Sequence, residues 1–153
     1  MMRVLVAGVG NVLRRDDGFG PAVVARLGPL PVGTRIVETG IGGVALLQEL
    51  LAGPLDGLVV VDAVDRGAAP GTVFVLEPDV REAEHVADVH LANPDRVLSM
   101  ALSMGALPPR VVIVGCQPAD AEELGESLSA AVERAVPAGV RLVHETVEAW
   151  AAT

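Results

Sequence analysis

Adjacent carboxylates at Asp16 and Asp17, a third at Asp62 and an imidazole at His90 are the side chains whose types could do chemistry together. Carboxylates joined by one imidazole suit a divalent transition metal with open coordination positions, such as zinc, iron or nickel. Their spacing matches no local metal motif of the H-E-x-x-H kind, so only the fold could assemble them. Each also has a plainer reading: Asp17 as the cap of the helix that follows, a task Asp does well, and His90 as a loop histidine with one hydrogen bond. Other candidates carry less. His85 and His144 read as structural or surface residues. Cys116 follows a strand, where a nucleophile could sit, but no partner is specified and a small buried residue is the simpler reading. Asp65 and Arg66 read as a solvated turn pair, and no serine lies in a G-x-S-x-G elbow.

The elements that must position these side chains are legible from periodicity. Val4-Leu5-Val6-Ala7 is a continuous apolar run, as expected of a parallel strand covered on both faces. Gly8 and Gly10 break it, and Gly18 to Leu27 leads into a helix, so Asp16 and Asp17 fall beyond a strand's carboxyl end, where ligands sit in open α/β sheets. Thr34–Glu38 is a second strand, followed by a glycine-rich turn and a helix over Val44–Ala52. Leu58–Val61 is a third, buried strand that ends in Asp62. Thr72–Leu76 is a fourth, and the link between them is too short for a helical crossover, so the fourth should run antiparallel to the third. A long polar loop then carries His85 and His90. A helix over Pro94–Met104, capped by Asn93, precedes the last strand, Arg110–Val114. Helices are expected over Glu122–Val136 and Val140–Trp150, interrupted by Pro137 and Gly139. Strands alternating with helices make a three-layer α/β/α sandwich around a mostly parallel sheet, and residues 1–153 read as one domain.

Gly8-Val9-Gly10 is only a partial dinucleotide fingerprint, because Leu13 stands where the third glycine belongs. Two carboxylates at that entrance would also repel a pyrophosphate, which needs an unopposed helix N-terminus. The net charge of −9, with two Phe, one Trp and no Tyr, argues against nucleic acid and anionic membranes as partners. The single cysteine allows no intramolecular disulfide, which fits a reducing cytoplasm. The N-terminus lacks the zones of a signal peptide, and no apolar run is long enough to span a bilayer.

Taken together, GVGNVLRRDDGFG, ETGIGGVALLQELL, VVVDAVDRGAAPGTV, VHLANPDRVLSM and IVGCQPAD resemble, in order and over most of the chain, the hydrogenase maturation endopeptidases. These process the large subunit of nickel–iron hydrogenases. The resemblance implies a phosphorylase/hydrolase-like sandwich with a five-stranded mixed sheet and one antiparallel edge strand. It implies cleavage of a C-terminal extension from the nickel-loaded large-subunit precursor, with nickel carried by that substrate, although other divalent metals can occupy such a site. The family's metal-contacting positions match Asp17, Asp62 and His90, which are thereby also the expected catalytic set. Asp16 is then a supporting or capping residue, Asn11 orients the acidic loop, and Gly40, Gly42 and Gly43 admit the extended tail. Two departures stand out. Asp17 is shorter than the Glu some members carry, and Glu38-Thr39-Gly40 stands where the family usually has Asp-Gly-Gly. His90 must be neutral to bind metal, so docking should weaken below its ordinary pKa of about 6.5. A cytoplasmic monomer is expected. A non-catalytic nickel-sensing assembly factor, a nucleotide-binding α/β protein and an unrelated metal-dependent hydrolase are the alternatives.

Overall fold

The computed structural model describes residues 2–40, 43–81 and 94–153. His85, His90, Gly42 and the cap Asn93 lie outside the described residues.

Five strands form one sheet: β1 (Val4–Val9), β2 (Thr34–Gly40), β3 (Gly57–Ala63), β4 (Val73–Leu76) and β5 (Arg110–Cys116). Their spatial order is β2-β1-β3-β5-β4. β1, β2, β3 and β5 are parallel, and β4 lies antiparallel at the edge. The short link after β3 does reverse the chain, as expected. The neighbour of β4, however, is β5, which inserts between β3 and β4.

Side chains of successive strand residues point to opposite faces, and both faces are dry. On one face Val4, Val6, Val59, Val61 and Val114 pack against α1 (Phe19–Val24) and a long C-terminal helix. On the other, Leu5, Ala7, Leu58, Val60 and Ile113 pack against α2 (Gly43–Leu51) and α3 (Pro94–Ser103). The α/β/α sandwich follows directly from this two-sided burial of β1 and β3.

The C-terminal region departs from expectation. Instead of two helices there is one, α4, running from Ala130 to Ala151 through Pro137. Proline has no N–H to give the carbonyl four residues earlier. That carbonyl belongs to Glu133, and both residues are on the exposed side of α4, where water can satisfy it. The buried stripe Val132, Val136, Gly139, Val143 and Val147 keeps helical spacing across the proline. Gly139 is a point of close approach rather than a break: a Cβ there would lie 2.8 Å from Phe19 Cζ and 2.9 Å from Val23 Cγ2. Residues 119–129 are not helical, because Asp16 and Asp120 take up their backbone N–H groups, as described below.

The sheet order reverses between β1 and β3. α1, which links β1 to β2, covers one face, and α2, which links β2 to β3, covers the other. The crevice beyond the carboxyl ends of β1 and β3 is therefore the topological switch point of this sheet.

Candidate active site

Asp17 and Asp62 reach that crevice from its two sides. Asp62 sits near the end of β3, with its Cα in register with Gly115 of β5, and is 8 % exposed. Asp17 lies on a single 3-10 turn, Arg15–Gly18, between β1 and α1. Gly10 makes that turn possible. Its φ is +141°, and a Cβ there would fall 1.8 Å from the carbonyl oxygen of Asp17. The Asn11 N–H donates to Asp17 Oδ2 at 2.7 Å, and Asn11 Oδ1 accepts from the Leu13 N–H at 2.9 Å. The capping reading of Asp17 is not realised. Gly18 occupies the N-cap of α1 and no side chain caps it, because the Asp17 carboxylate is turned back onto Asn11.

The neighbouring carboxylate faces the other way. Asp16 is fully buried and holds the 119–129 loop. Its Oδ2 accepts from the N–H of Ala119 at 2.8 Å and of Asp120 at 3.0 Å, and from the Ser129 hydroxyl at 2.8 Å. Its Oδ1 accepts from the Ser129 N–H at 2.7 Å. Burial alone pushes the Asp16 carboxyl upward, but these four hydrogen bonds outweigh it and hold it below the usual range. Asp120 in turn accepts from the N–H groups of Glu122 and Glu123, both at 3.0 Å.

Asp62 behaves in the opposite way. Burial, then the nearby charge of Asp17 and, more weakly, that of Asp95, push its carboxyl well above the ordinary value, against one backbone hydrogen bond from Ala63. Asp17, Asp62 and Asp95 line a cleft of about 950 Å³, together with Asp65, Arg66 and Glu77. Asp95 is a residue that sequence reasoning missed. Its one local signal is an acidic side chain in the first turn of α3.

Gln117, just past β5, was also missed. It is buried, its Oε1 accepts from the N–H of Arg66 at 2.7 Å and of Ala68 at 3.2 Å, and its Nε2 donates to Asp65 Oδ1 at 2.9 Å. Asp65 and Arg66 are exposed in the turn after β3, as expected, and each has a further partner. The Gln117 hydrogen bond and the Gly67 N–H hold the Asp65 carboxyl low, while the Arg66 guanidinium lies over the Phe74 ring, 5.5 Å from its centroid. Together these contacts fix the loop that lines one wall of the cleft.

Two of the remaining candidates, Cys116 and His144, have structural roles. Cys116 is buried, and burial followed by the charge of Asp16 pushes its thiol up to about 11, so it stays protonated and unreactive. His144 sits on α4, its Nε2 against the Leu27 carbonyl and its Nδ1 3.4 Å from Glu148. His90 lies outside the described residues. Among the described residues no three His, Cys, Asp or Glu side chains are grouped to hold one metal ion. What the described residues supply is a pair of carboxylates in electrostatic contact at the mouth of the switch point, one of them buried.

The family description "hydrogenase maturation protease", HycI, matches residues 25–146. The chain belongs to the hydrogenase maturation protease family. Among curated relatives, the hydrogenase expression/formation protein HupD of Rhizobium leguminosarum bv. viciae is 35 % identical over 155 residues, covering 97 % of this chain and 75 % of its own. The maturation protease fold is equally plain in solved structures. The hydrogenase maturating endopeptidase HybD from E. coli superposes with a TM-score of 0.81 at 29 % identity, covering 96 % of this chain and 93 % of that one. The [NiFe] hydrogenase maturation protease HycI from Thermococcus kodakarensis does so with a TM-score of 0.74 at 25 % identity, with the same coverage. This maturation protease is thus a peptidase of the hydrolase class on an α/β fold with a five-stranded mixed sheet. No helix among the described residues is long and apolar enough to cross a membrane.

Proposed function

We propose that this peptidase trims the C-terminal extension of a nickel–iron hydrogenase large-subunit precursor, and that Asp17 and Asp62, with His90, grip the nickel that the precursor carries. The observation that carries this reading is the Asp17–Asp62 pair. Asp62 is buried and faces the charge of Asp17, which together raise its cost of ionisation, and a divalent cation arriving between the two carboxylates relieves that cost. The cleft is acidic and open, which suits a cation and an extended peptide and would repel a pyrophosphate. No metal needs to reside in the protein, because the ion belongs to the substrate. The resemblance read in the sequence supports His90 as the third contact.

In this reading the substrate's nickel docks the scissile bond beside the carboxylates and polarises the peptide carbonyl or a water. One of the two carboxylates, using an oxygen turned away from the ion, then takes the proton of the attacking water as general base. Asp17 stays oriented by the Asn11 N–H and faces the ion. The test is cleavage of purified nickel-loaded precursor, followed by mass. Asp17→Asn and His90→Ala should each slow tail removal by about 100-fold or more, and wild-type rates in both variants would remove these residues from the mechanism.

A further inference from the structure

The two loops that meet around Arg15 form a surface that the chemistry above does not use. Residues 13–15 run beside Gly125: the Gly125 N–H donates to the Leu13 carbonyl at 2.9 Å, and the Arg15 N–H to the Gly125 carbonyl at 2.8 Å. Asp16 locks the same pair of loops from inside through Ala119, Asp120 and Ser129. Arg15 has a φ of +49°, the left-handed value among the described non-glycine residues, and such backbone persists only where its surroundings hold it. The result is a stiff knuckle that pushes apolar side chains into water. Leu124 is 75 % exposed, Leu13 52 % and Val12 45 %.

Single exposed leucines need no explanation, but three large apolar side chains on two bonded loops make a patch. Beside Val12 the patch runs into a groove of about 570 Å³, whose apolar lining includes Pro21, Ala22 and Leu128. Carboxylates surround it. Asp120, Glu122, Glu123 and Glu126 flank Leu124 in the chain, and Glu38 and Glu126 line the groove. Of the nearby cations, Arg14 donates to the Glu122 carbonyl at 2.7 Å, Arg26 pairs with Glu133 at 2.9 Å, and the charge of Arg15 bears on Asp120, which leaves Glu122, Glu123 and Glu126 to dominate the rim. The knuckle is also continuous with the acidic cleft, because the turn that follows Leu13 and Arg14 is the one that carries Asp17.

We propose that the Val12–Leu13–Leu124 knuckle docks the folded body of the precursor, on a segment where an apolar side chain is flanked by Lys or Arg. The apolar centre asks for a hydrophobic anchor. The anionic ring selects cationic flanks, steers the encounter and rejects acidic competitors. The shared turn lets a body seated on the knuckle deliver its tail to Asp17 and Asp62. This rests on the proteolytic reading, since it names where that substrate is held while its tail is cut.

The experiment is steady-state cleavage of nickel-loaded precursor by the full chain and by Leu124→Ser, Leu13→Ser and the double variant Glu122→Lys/Glu126→Lys. In the Leu124→Ser variant KM rises about tenfold while kcat stays within about twofold, because an anchor is lost and the reacting groups are untouched. The charge reversal raises KM at low salt and flattens its dependence on ionic strength. An unchanged KM in both Leu124→Ser and the charge reversal overturns the proposal. Melting temperatures are read alongside. Should Leu13→Ser melt early, Leu124→Ser decides alone, its side chain being the most exposed of the three. A wild-type dimer in gel filtration that Leu124→Ser dissolves would give the surface to a second copy and also overturn it. If the wild type cuts no precursor, the proteolytic reading fails, and titration of uncut precursor against wild type and Leu124→Ser decides the docking surface separately.

Discussion

Asp16 and Asp62 are both buried carboxylates near the carboxyl ends of neighbouring strands, yet their surroundings move their proton affinities in opposite directions. Asp16 meets four N–H and O–H donors supplied by a loop distant in the chain. Asp62 meets the charges of Asp17 and Asp95 and one backbone N–H. Burial raises the cost of charge in both cases, so it is the partners that decide the outcome. A satisfied carboxylate is a tie that holds the structure together. One with a single backbone donor, facing others of its own sign, is held ready for a cation or a proton. Position next to a strand end does not separate the two roles; the direction in which each side chain points does.

The sharpest way to break this contrast is Asp62→Asn. It removes a proposed nickel ligand and one of the two carboxylates that could serve as base while keeping the shape, so precursor cleavage should fall by about 100- to 10,000-fold. The same variant should melt no lower than wild type, and higher at neutral pH, because a buried charge facing Asp17 has gone. A large loss of stability on Asp62→Asn would erase the distinction between the two residues. Second in size is Asp16→Ala. It leaves several buried donors without an acceptor and should cost about 3 kcal/mol or more in chemical denaturation. Cleavage per folded molecule should fall far less than in Asp62→Asn.

The smallest effect is the pH dependence of stability, which sharpens the comparison without removing either side chain's shape. The Asp16 carboxyl is depressed in the folded state. Its contribution is therefore present above the ordinary aspartate value of about 3.9 and is lost as pH falls through its lower folded value. The Asp62 carboxyl is raised, so the fold binds its proton more tightly than the unfolded chain does. That contribution is full below about 3.9 and is lost as pH rises toward the folded value. Melting temperature against pH for wild type, Asp16→Asn and Asp62→Asn should show Asp16→Asn losing the acid-side fall. Asp62→Asn should gain on wild type from about pH 4 upward. Parallel curves for all three would contradict both assignments.

How much of this was legible in the sequence follows from range. β1 and β3 could be read because a strand buried on both faces is a continuous apolar run, and Val4–Ala7 and Leu58–Val61 are such runs. Asp17 and Asp62 stood out because they follow those runs. The reversal of β4 could be read from a short link, but its partner β5 comes later in the chain, and local spacing is silent about it. The start of the last helix was misplaced for a similar reason. Residues 122–129 carry helix-forming side chains, but Asp16, more than 100 positions earlier, holds their neighbours' N–H groups in loop geometry. Pro137 and Gly139 suggested a break because their packing partners, water on one side and Phe19 on the other, are invisible to local propensity. Asp95 and Gln117 were missed because each acts on residues far from it in sequence.

The clamp centred on Asp16 joins positions separated by 103, 104 and 113 residues. A nascent chain leaves the ribosome at roughly 5–20 residues per second. The acidic turn is therefore made several seconds before the segment that locks it. Until Ser129 has emerged, the turn that carries Asp17 lacks the donors that close over Asp16. Incomplete products carry both carboxylates on a loop that is not yet locked, and the clamp closes only once the segment 113 positions after Asp16 has been made.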